Sequence, residues 1–216
     1  MPKLIHSAFV KDEEHCIAMM LETILPFVEE SYIMVDDRTT DRTKEIAESY
    51  GCKTKLFTFK NFGKTKNTLM YWTKDKSDWV FGLAPDEKIT LDLGKKLNKI
   101  VHDIHDHPID GVYFSRRHWS DLDMKDEYTK QNWYPDWQQR LIRNDFPRVH
   151  MVHYVHEVVV GLRKSLWVKE DLHHFNMYWK PRIDYDFEKM NVLYRELKKK
   201  QSLDGGRDIW PEGITF

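Results

Sequence analysis

The segment Ser31-Tyr-Ile-Met-Val-Asp-Asp-Arg-Thr-Thr-Asp41 decides the fold, because an apolar run in it ends abruptly in acids and hydroxyls. Residues 31–35 have the β-branched and aromatic composition of a buried strand. A helical pattern starts at Thr40 or Asp41 and ends at Gly51, a residue type that commonly closes helices. A buried strand followed at once by a helix predicts a βα unit, the element from which parallel sheets are built.

The same alternation continues on both sides of this segment. Strand patterns occur at residues 4–10, 53–59 and 79–83, and helix patterns occur at residues 12–27 and 64–73. Asp12 is expected to cap the first helix, with Glu13 and Glu14 in its first turn, where the helix dipole favours acids. Strands separated by helices of this length predict right-handed βαβ units. The fold class is therefore α/β, with a mostly parallel, twisted sheet flanked by helices.

A ligand site is expected at one edge of this sheet. In α/β sheets, ligands bind beyond the carboxyl ends of the parallel strands. Three informative segments lie at the ends of predicted strands and would meet there: residues 7–11, 36–41 and 84–87. Their coincidence carries more weight than any one of the motifs.

The second half of the chain is less regular. The sequence predicts helices at residues 91–105 and 185–200, strands at residues 111–119, 138–144, 149–160 and 166–168, and a long polar loop at residues 120–133. No internal repeat or low-complexity linker divides the chain. A single domain over residues 1–216 is therefore expected.

Bulk composition bounds the class of protein. The chain has 216 residues, 41% of them hydrophobic, which suits one globular domain. Lys and Arg total 34 against 35 Asp and Glu, and this balance argues against nucleic acid as a partner. Two cysteines do not form a disulfide framework. Because no signal-peptide core or bilayer-length apolar run occurs, we expect a cytoplasmic protein with no transmembrane segment.

Charged residues at the predicted strand and helix ends suit a nucleotide. Asp36 and Asp37 could accept hydrogen bonds from a ribose or a base, although both could instead be turn residues. Lys64 and Lys66 lie near the start of the third predicted helix. A diphosphate would meet their charges and the helix N–H groups there, although a solvated lysine face would have the same pattern.

Asp86 and its neighbour Glu87 follow the predicted strand at residues 79–83. Carboxylate oxygens grouped at a strand end suit Mg²⁺ or Mn²⁺, although adjacent acids are also common on protein surfaces. One of the pair His173 and His174, which follows another predicted strand, could supply a nitrogen ligand to the same ion.

Two carboxylates are candidates for a general base. Glu157 lies inside the predicted apolar strand at residues 149–160, where a carboxylate is costly unless it has a task or a partner. Asp136 is the second candidate and lies beside aromatic residues that could stack on a sugar ring. Arg140 could pair with a phosphate or, equally, be a structural ion-pair partner.

Several segments in order resemble the family-2 glycosyltransferases of the GT-A fold: IHSAFVKDEEH, IMVDDRTTDRTKEIAESYG, NFGKTKN and DWVFGLAPDEKI. The usual family pattern is V-K-N-E-E, V-D-x-x-S-x-D-x-T, R-N and D-W-I-x-x-L-D-A-D-E. The later QQRLIRN and VHE are similar to the family's R-L-F-R-N and V-H-E. The opening also resembles the glycosyltransferases encoded by large algal viruses. That likeness implies a UDP-sugar donor, capsid-glycan synthesis and a location in the host cytoplasm.

The resemblance implies a role for particular residues. It places Ser7, Ala8, Phe9 and Val10 with Asp36 around the nucleoside, Lys66 and Asn67 near the diphosphate, and Asp86 on the metal. Residues 1–90 would be a Rossmann-like, nucleotide-sugar-binding half, and residues 91–216 an acceptor-binding half with a C-terminal helix. Ala84 stands where the family has its first DxD aspartate. Asp86 is therefore expected to hold the ion with water, diphosphate oxygens and His173 or His174.

These observations predict a Mn²⁺- or Mg²⁺-dependent glycosyltransferase. It would move a sugar from a nucleotide-sugar donor to a glycan or other hydroxyl acceptor, with inversion. A sugar nucleotidyltransferase is an alternative, although residues 7–14 lack the glycine-rich loop that it would need. A catalytically inactive nucleotide-sugar-binding module is the other, because of the loss at Ala84.

Overall fold

The computed structural model describes residues 1–129, 133–183 and 185–212. Its strands are β1 (Leu4–Val10), β2 (Ser31–Asp36), β3 (Lys53–Phe57), β4 (Trp79–Phe81), β5 (Glu87–Lys88), β6 (Gly111–His118), β7 (Gln138–Arg143), β8 (His150–Val152), β9 (Val158–Val160) and β10 (Ser165–His174). Its α-helices are α1 (Ile17–Ile24), α2 (Thr43–Ser49), α3 (Phe62–Thr73), α4 (Leu91–Ile104), α5 (Asn176–Trp179) and α6 (Phe187–Asp204). A 3₁₀ turn, Leu25–Phe27, follows α1. Within this described part of the chain, no helix is both long and apolar enough to cross a bilayer.

Eight strands form one sheet in the order β3-β2-β1-β4-β7-β6-β10-β5, and β8 and β9 form a separate pair. β1 to β4, β6 and β10 run in one direction, whereas β7 and β5 run against them. The predicted single α/β domain with a mostly parallel sheet is therefore confirmed. Because β1, β2, β4, β6 and β10 point the same way, their carboxyl ends meet at one edge.

The alternation of side chains along β1 divides the core into two layers. Leu4 packs with the buried faces of α1 and α4, whereas its neighbour Ile5 packs in a separate cluster with Met70 of α3. Successive residues of a strand face opposite sides of a sheet, so one strand anchors helices on both faces. This packing fixes the carboxyl end of β1 against those of β2 and β4.

The first helix, α1, begins later than the sequence predicts. Asp12 does not cap α1: it has a left-handed backbone (φ 53°), and α1 starts at Ile17. The carbonyl of Glu13 accepts hydrogen bonds from the amides of Cys16 and Ile17, so Glu13 and Glu14 precede the helix. The segment after β1 is therefore a turn at the edge of the sheet, which exposes its side chains to the site.

The prediction of a single strand at residues 149–160 is wrong, because the structure has two short strands there. His153 and His156 have left-handed backbones (φ 73° and 53°), which break the segment into β8 and β9. Glu157 therefore lies in the loop between them and not inside a strand. Of the predicted loop at residues 120–133, residues 130–132 lie outside the described residues, and Trp119 and Glu127 form an isolated bridge.

Candidate active site at the carboxyl edge of the sheet

Glu87 is a buried carboxylate whose charge is compensated by arginines. Its side chain is 0% exposed, and it accepts hydrogen bonds from Nε and Nη2 of Arg140 (2.9 and 2.7 Å) and from Nη1 of Arg116 (2.9 Å). Burial alone would raise the pKa of Glu87, but the two guanidinium groups hold it well below its usual range. The sequence allowed two roles for Arg140, phosphate binding or a structural ion pair. In the structure Arg140 forms the ion pair, with Glu87.

Asp86, the next residue back along the chain, has very different surroundings. Its side chain is 27% exposed, and its Oδ2 lies 2.9 Å from Nε2 of His174, the last residue of β10. The amide of Phe175 donates to the Asp86 carbonyl (2.9 Å) and fixes the turn. Burial works to raise the pKa of Asp86, but the His174 imidazole outweighs it and lowers that pKa. Asp86 is therefore ionised, partly open to solvent and held by a potential metal ligand.

A chain of hydrogen bonds runs from Asp86 to the second predicted base, Asp136. His174 Nδ1 lies 3.0 Å from His118 Nδ1, and His118 Nε2 lies 3.0 Å from Asp136 Oδ2. The two rings stand between two carboxylates because β10 and β6 are parallel neighbours with His174 opposite His118. The structure thus joins the predicted metal residue and a predicted base through two buried imidazoles.

Asp136 is held mainly through one of its oxygens. Its Oδ2 accepts from Arg116 Nε (2.8 Å) and Nη2 (2.7 Å) as well as from His118, whereas Oδ1 accepts only from Gln138 Nε2 (2.6 Å) among the described residues. Burial opposes ionisation, but His118, Arg116 and Gln138 hold the pKa of Asp136 well below its usual range. The carboxylate is ionised, and Oδ1 retains a free lone pair.

His173 faces away from this chain. Its Nδ1 accepts a hydrogen bond from Trp119 Nε1 (2.9 Å), and the ring is 9% exposed. Burial lowers the pKa of His173 to about 4. Since adjacent residues of a strand point to opposite faces, His174 is the member of the pair that the structure brings to Asp86.

The turn after β1 places three potential metal-ligand side chains close together, and the sequence did not indicate this cluster. Glu13 Oε2 accepts from Cys16 Sγ (3.2 Å) and lies 3.8 Å from His15 Nε2, and ligand atoms of the three residues lie within 4.8 Å of one another. Burial and the negative charge of Asp86 raise the pKa of Glu13 to about 8. The sequence holds one indication of this position. The segment DEEH directly follows β1, and β1 is the parallel neighbour of β4, which precedes Asp86.

These residues fit a divalent cation. Among the described residues, neither the Asp86 nor the Glu13 carboxylate accepts a hydrogen bond from lysine or arginine. Burial and the negative charge of Asp86 both disfavour the ionised form of Glu13, and a cation would offset that repulsion. Carboxylate oxygens with an imidazole nitrogen, as in the Asp86–His174 pair, suit Mn²⁺, and Glu13 adds a carboxylate whose charge interacts with that of Asp86.

At the predicted nucleoside end, Asp36 has a partner in its own turn. Its Oδ1 and Oδ2 accept from Arg38 Nε (2.8 Å) and Nη2 (2.6 Å), and its side chain is 1% exposed. Asp37 accepts a hydrogen bond from the Thr58 hydroxyl. Phe9 stacks on Phe59 at 5.9 Å between ring centroids. Of the four residues at the end of β1, Ser7, Ala8 and Val10 are buried and Phe9 is partly exposed.

The predicted diphosphate residues divide into one that is accessible and one that is not. Lys66 is 42% exposed at its side chain and pairs with Glu157, whose side chain is 14% exposed. Asn67 is buried: its Nδ2 donates to the carbonyls of Met151 and Ile209 (2.9 and 2.8 Å), and its Oδ1 accepts from the Met151 amide (2.7 Å). Asn67 therefore joins α3 to β8 and the C-terminal segment.

A cavity adjoins this edge of the sheet next to Asp136. We name it the acceptor-side cavity; it is lined by Arg116, His118, Trp133, Asp136 and Asn176. A neighbouring recess adds Arg117, Glu127 and Tyr134 to the wall. The site therefore has an acidic centre at Asp86 with an aromatic and charged cavity on the side of β6 and β7.

Comparison with protein families defines the class. The model of glycosyl transferase family 2 matches residues 10–167 of the chain. The chain therefore belongs to glycosyl transferase family 2 and is a glycosyltransferase by class. No curated protein matches the sequence.

Solved structures share the fold at low sequence identity. Glucosyl-3-phosphoglycerate synthase from Mycobacterium tuberculosis, solved with Mn²⁺, UDP and glucosyl-3-phosphoglycerate, has a TM-score of 0.60 and 12% identity, covering 100% of this chain and 83% of that one. A mycobacterial protein has a TM-score of 0.53 and 12% identity over 81% of this chain, which spans 65% of that protein's length. A 4-diphosphocytidyl-2C-methyl-D-erythritol synthase has a TM-score of 0.52 and 7% identity, covering 79% of this chain and 90% of that one. The structural likeness shows a GT-A-type fold, and together with the family match it supports a nucleotide-sugar glycosyltransferase.

Proposed function

We propose that this protein transfers a sugar from a UDP-sugar donor to a hydroxyl group of a glycan acceptor, with Mn²⁺ or Mg²⁺ as cofactor. The observation that carries the proposal is the Asp86–His174 pair, a partly exposed carboxylate and an imidazole at the carboxyl edge of the sheet. The family match supports sugar transfer. The structural neighbour solved with UDP and Mn²⁺ supports this choice of nucleotide and ion.

The donor would lie along the carboxyl ends of β1, β2 and β4. Phe9 and the Asp36–Arg38 pair would contact the nucleoside, and Lys66 would exchange its partner Glu157 for a phosphate. Asp86 and His174 would hold the divalent ion, which when bound neutralises charge on the departing diphosphate. Binding of a cation near Glu13 would displace the proton that its raised pKa retains, and that proton would pass to solvent.

The transfer that we assign is a single displacement with inversion. The acceptor oxygen forms a bond to the anomeric carbon as the bond from that carbon to the diphosphate oxygen breaks. UDP leaves with the bonding electrons, and the acceptor's proton passes to a carboxylate. Asp136 lines the cavity and keeps a free lone pair on Oδ1, which supports it as the base. Glu157, paired with Lys66, is the second candidate.

Donor hydrolysis and a thermal melt test the proposal together. The protein should release UDP slowly from a UDP-sugar when Mn²⁺ is present and lose this activity with chelator. UDP with Mn²⁺ should stabilise the fold by about 2.7 kcal/mol at roughly a hundred times its dissociation constant. A melting temperature that no nucleoside diphosphate changes, with or without metal, would count against donor binding altogether.

One alternative function has an observation in its favour. Ala84 removes a carboxylate that the family pattern has, as expected of a nucleotide-sugar-binding module without activity. Such a module would bind UDP with Mn²⁺ yet release no UDP from any donor. A nucleotidyltransferase has only a fold-level likeness in its support. It would instead release pyrophosphate from a nucleoside triphosphate, so the assayed product separates the two reactions.

A further inference from the structure

The acceptor-side cavity and its recess contain cations that are already neutralised. Arg116 is bonded to Glu87 and Asp136, at 2.9 and 2.8 Å. Arg117 is bonded to Glu127 (2.9 and 3.0 Å) and to Asp171 (2.6 Å). Because Arg140 also bonds Glu87, three guanidinium groups face these four carboxylates, which leaves an excess of one negative charge. Among the described residues that line the wall, no lysine or arginine lacks a carboxylate partner.

This charge pattern decides against an anionic acceptor. A phosphate or carboxylate in the cavity would lose water and gain no unpaired arginine from the cavity lining, and the surplus carboxylate would repel it. Phosphate sites in proteins usually offer free arginine or backbone N–H groups. The cavity thus has the electrostatics of a site for a ligand without negative charge.

The remaining wall is suited to a sugar ring. The Trp133 side chain is 37% exposed, and its ring is supported from the cavity wall by His118 at a centroid distance of 4.8 Å. An exposed indole offers a flat apolar surface to the C–H face of a pyranose. Tyr134, 48% exposed and packed on Arg117 at 4.2 Å, extends this surface.

An unpaired hydrogen-bond acceptor lies in the same wall. Asn176 lines the cavity, and its Oδ1 is buried with no hydrogen-bond partner among the described residues. A buried carbonyl oxygen without a partner costs free energy, and a donor that reaches it recovers that cost. A hydroxyl group of a bound sugar is such a donor, whereas a phosphate or carboxylate oxygen is not.

We propose that the acceptor is an uncharged pyranose, with no phosphate or carboxylate, whose ring packs on Trp133 and one of whose hydroxyls donates to Asn176 Oδ1. This inference rests on the proposed transferase function and names the substrate class of its acceptor site. Trp133 and Asn176 are then residues that determine specificity, and the paired state of Arg117 excludes charged sugars.

Acceptor binding without turnover tests the inference. The full chain, saturated with UDP and Mg²⁺, is titrated calorimetrically with methyl glucoside, methyl galactoside and methyl mannoside and with the corresponding 6-phosphates and uronates. At least one neutral glycoside should bind tenfold or more tightly than both of its charged counterparts. Equal or tighter binding of the charged sugars would overturn the inference.

Three substitutions sharpen the test. Trp133→Ala and Asn176→Ala should each weaken neutral-sugar binding by about tenfold, which corresponds to about 1.4 kcal/mol, and should leave UDP affinity unchanged. Trp167→Ala is the matched control, because Trp167 is 59% exposed and stacks on Tyr113 outside the cavity wall. Glu127→Gln should improve binding of the 6-phosphates, because it releases part of Arg117's charge. If Trp133→Ala and Trp167→Ala behave alike, Trp133 is not the platform and the inference fails.

The inference and the proposed function fail in different ways. Absence of both UDP binding and UDP release would remove the transferase proposal. UDP binding and UDP release with a preference for phosphorylated or carboxylated sugars would remove only the neutral-acceptor assignment.

Discussion

Asp86 and Asp110 lie at opposite edges of the same sheet and have opposite surroundings. Asp110 precedes β6, is 0% exposed and accepts hydrogen bonds from Arg143 (2.9 Å), Arg148 (2.9 Å) and Arg163 (2.7 Å). Asp86 lies beside the last residue of β10, is 27% exposed and has one imidazole as its partner. A carboxylate enclosed by arginines has no capacity left for a ligand, whereas one held by an imidazole and open to solvent can bind a cation.

The comparison also separates the neighbours Asp86 and Glu87. Glu87 resembles Asp110, since it is buried and bonded to two guanidinium groups. Asp86 and Glu87 both follow the same apolar strand in the sequence. Their positions alone therefore do not show which carboxylate forms structural ion pairs and which is open to a ligand. The partners, which come from β6, β7 and β10, make that distinction.

The largest expected effect is on stability at Asp110. Asp110→Asn should lower the free energy of unfolding by about 3 kcal/mol, because three arginines lose a buried partner. Asp86→Asn should change it by less than about 1 kcal/mol, as for other partly exposed pairs. Urea unfolding of both variants measures the difference. A larger loss in Asp86→Asn than in Asp110→Asn would reverse the comparison.

The next effect is on catalysis and distinguishes the two base candidates. Asp136→Asn should keep donor binding but slow sugar transfer by on the order of 10² or more, the usual contribution of a general base. Glu157→Gln keeps the size of its side chain and should slow transfer less. Single-turnover rates with saturating donor measure both variants. If Glu157→Gln is the inactive variant and Asp136→Asn works, the two roles exchange.

A third prediction restores the carboxylate that the chain lacks. Ala84→Asp should tighten Mn²⁺ binding in the absence of nucleotide by about tenfold, because hard divalent ions prefer more anionic oxygen ligands. Ala84→Asn is the matched control, with the same shape and no charge. Calorimetry with Mn²⁺ alone gives the result. Tight Mn²⁺ binding by the unmodified chain would instead show that Glu13 and His174 already complete the site.

The smallest predicted effect is a pH dependence at Glu13. Its pKa is about 8 in the folded protein against an ordinary value of 4.5, so between these values the folded state holds a proton that the unfolded state has lost. Stability should therefore fall as pH rises through this window, by about 1 kcal/mol from roughly pH 5 to pH 8 once solvent screening is allowed for, and should level off above pH 8. Glu13→Gln should flatten the profile, whereas Glu14→Gln, in the same turn, should not. A parallel slope in wild type and Glu13→Gln would contradict the assignment.

The sequence predicts the scaffold well because periodicity reports burial. β1 spans the predicted residues, and β2, β4 and α3 lie within two residues of their predicted ends. The pattern of apolar residues does not indicate the backbone conformation of a single residue. Three residues with left-handed backbones caused the main errors in the predicted elements. Asp12 delays α1, and His153 and His156 divide the predicted strand that held Glu157. The division into residues 1–90 and 91–216, the cytoplasmic location and the algal-virus resemblance stay predictions.

The sequence indicates which strand ends carry the candidate site, but it does not indicate which side chains contact each other there. The end of β4 and the pair His173 and His174 stand out in the sequence, yet only strand pairing shows that His174 meets Asp86 and His118. Asn67 and Arg140 resemble ligand residues in a motif, but both are engaged in contacts distant in sequence. Such contacts depend on tertiary packing, which spacing along one chain does not encode.

The most direct test of the account is the coupling between metal and nucleotide at Asp86. UDP binding is measured by calorimetry with and without saturating Mn²⁺, in the wild-type protein and in Asp86→Asn. The account predicts that Mn²⁺ tightens UDP binding by about tenfold or more in the wild type, at least about 1.4 kcal/mol of coupling. It predicts no tightening in Asp86→Asn, with the fold intact. Equal coupling in both proteins would contradict the claim that Asp86 holds the ion.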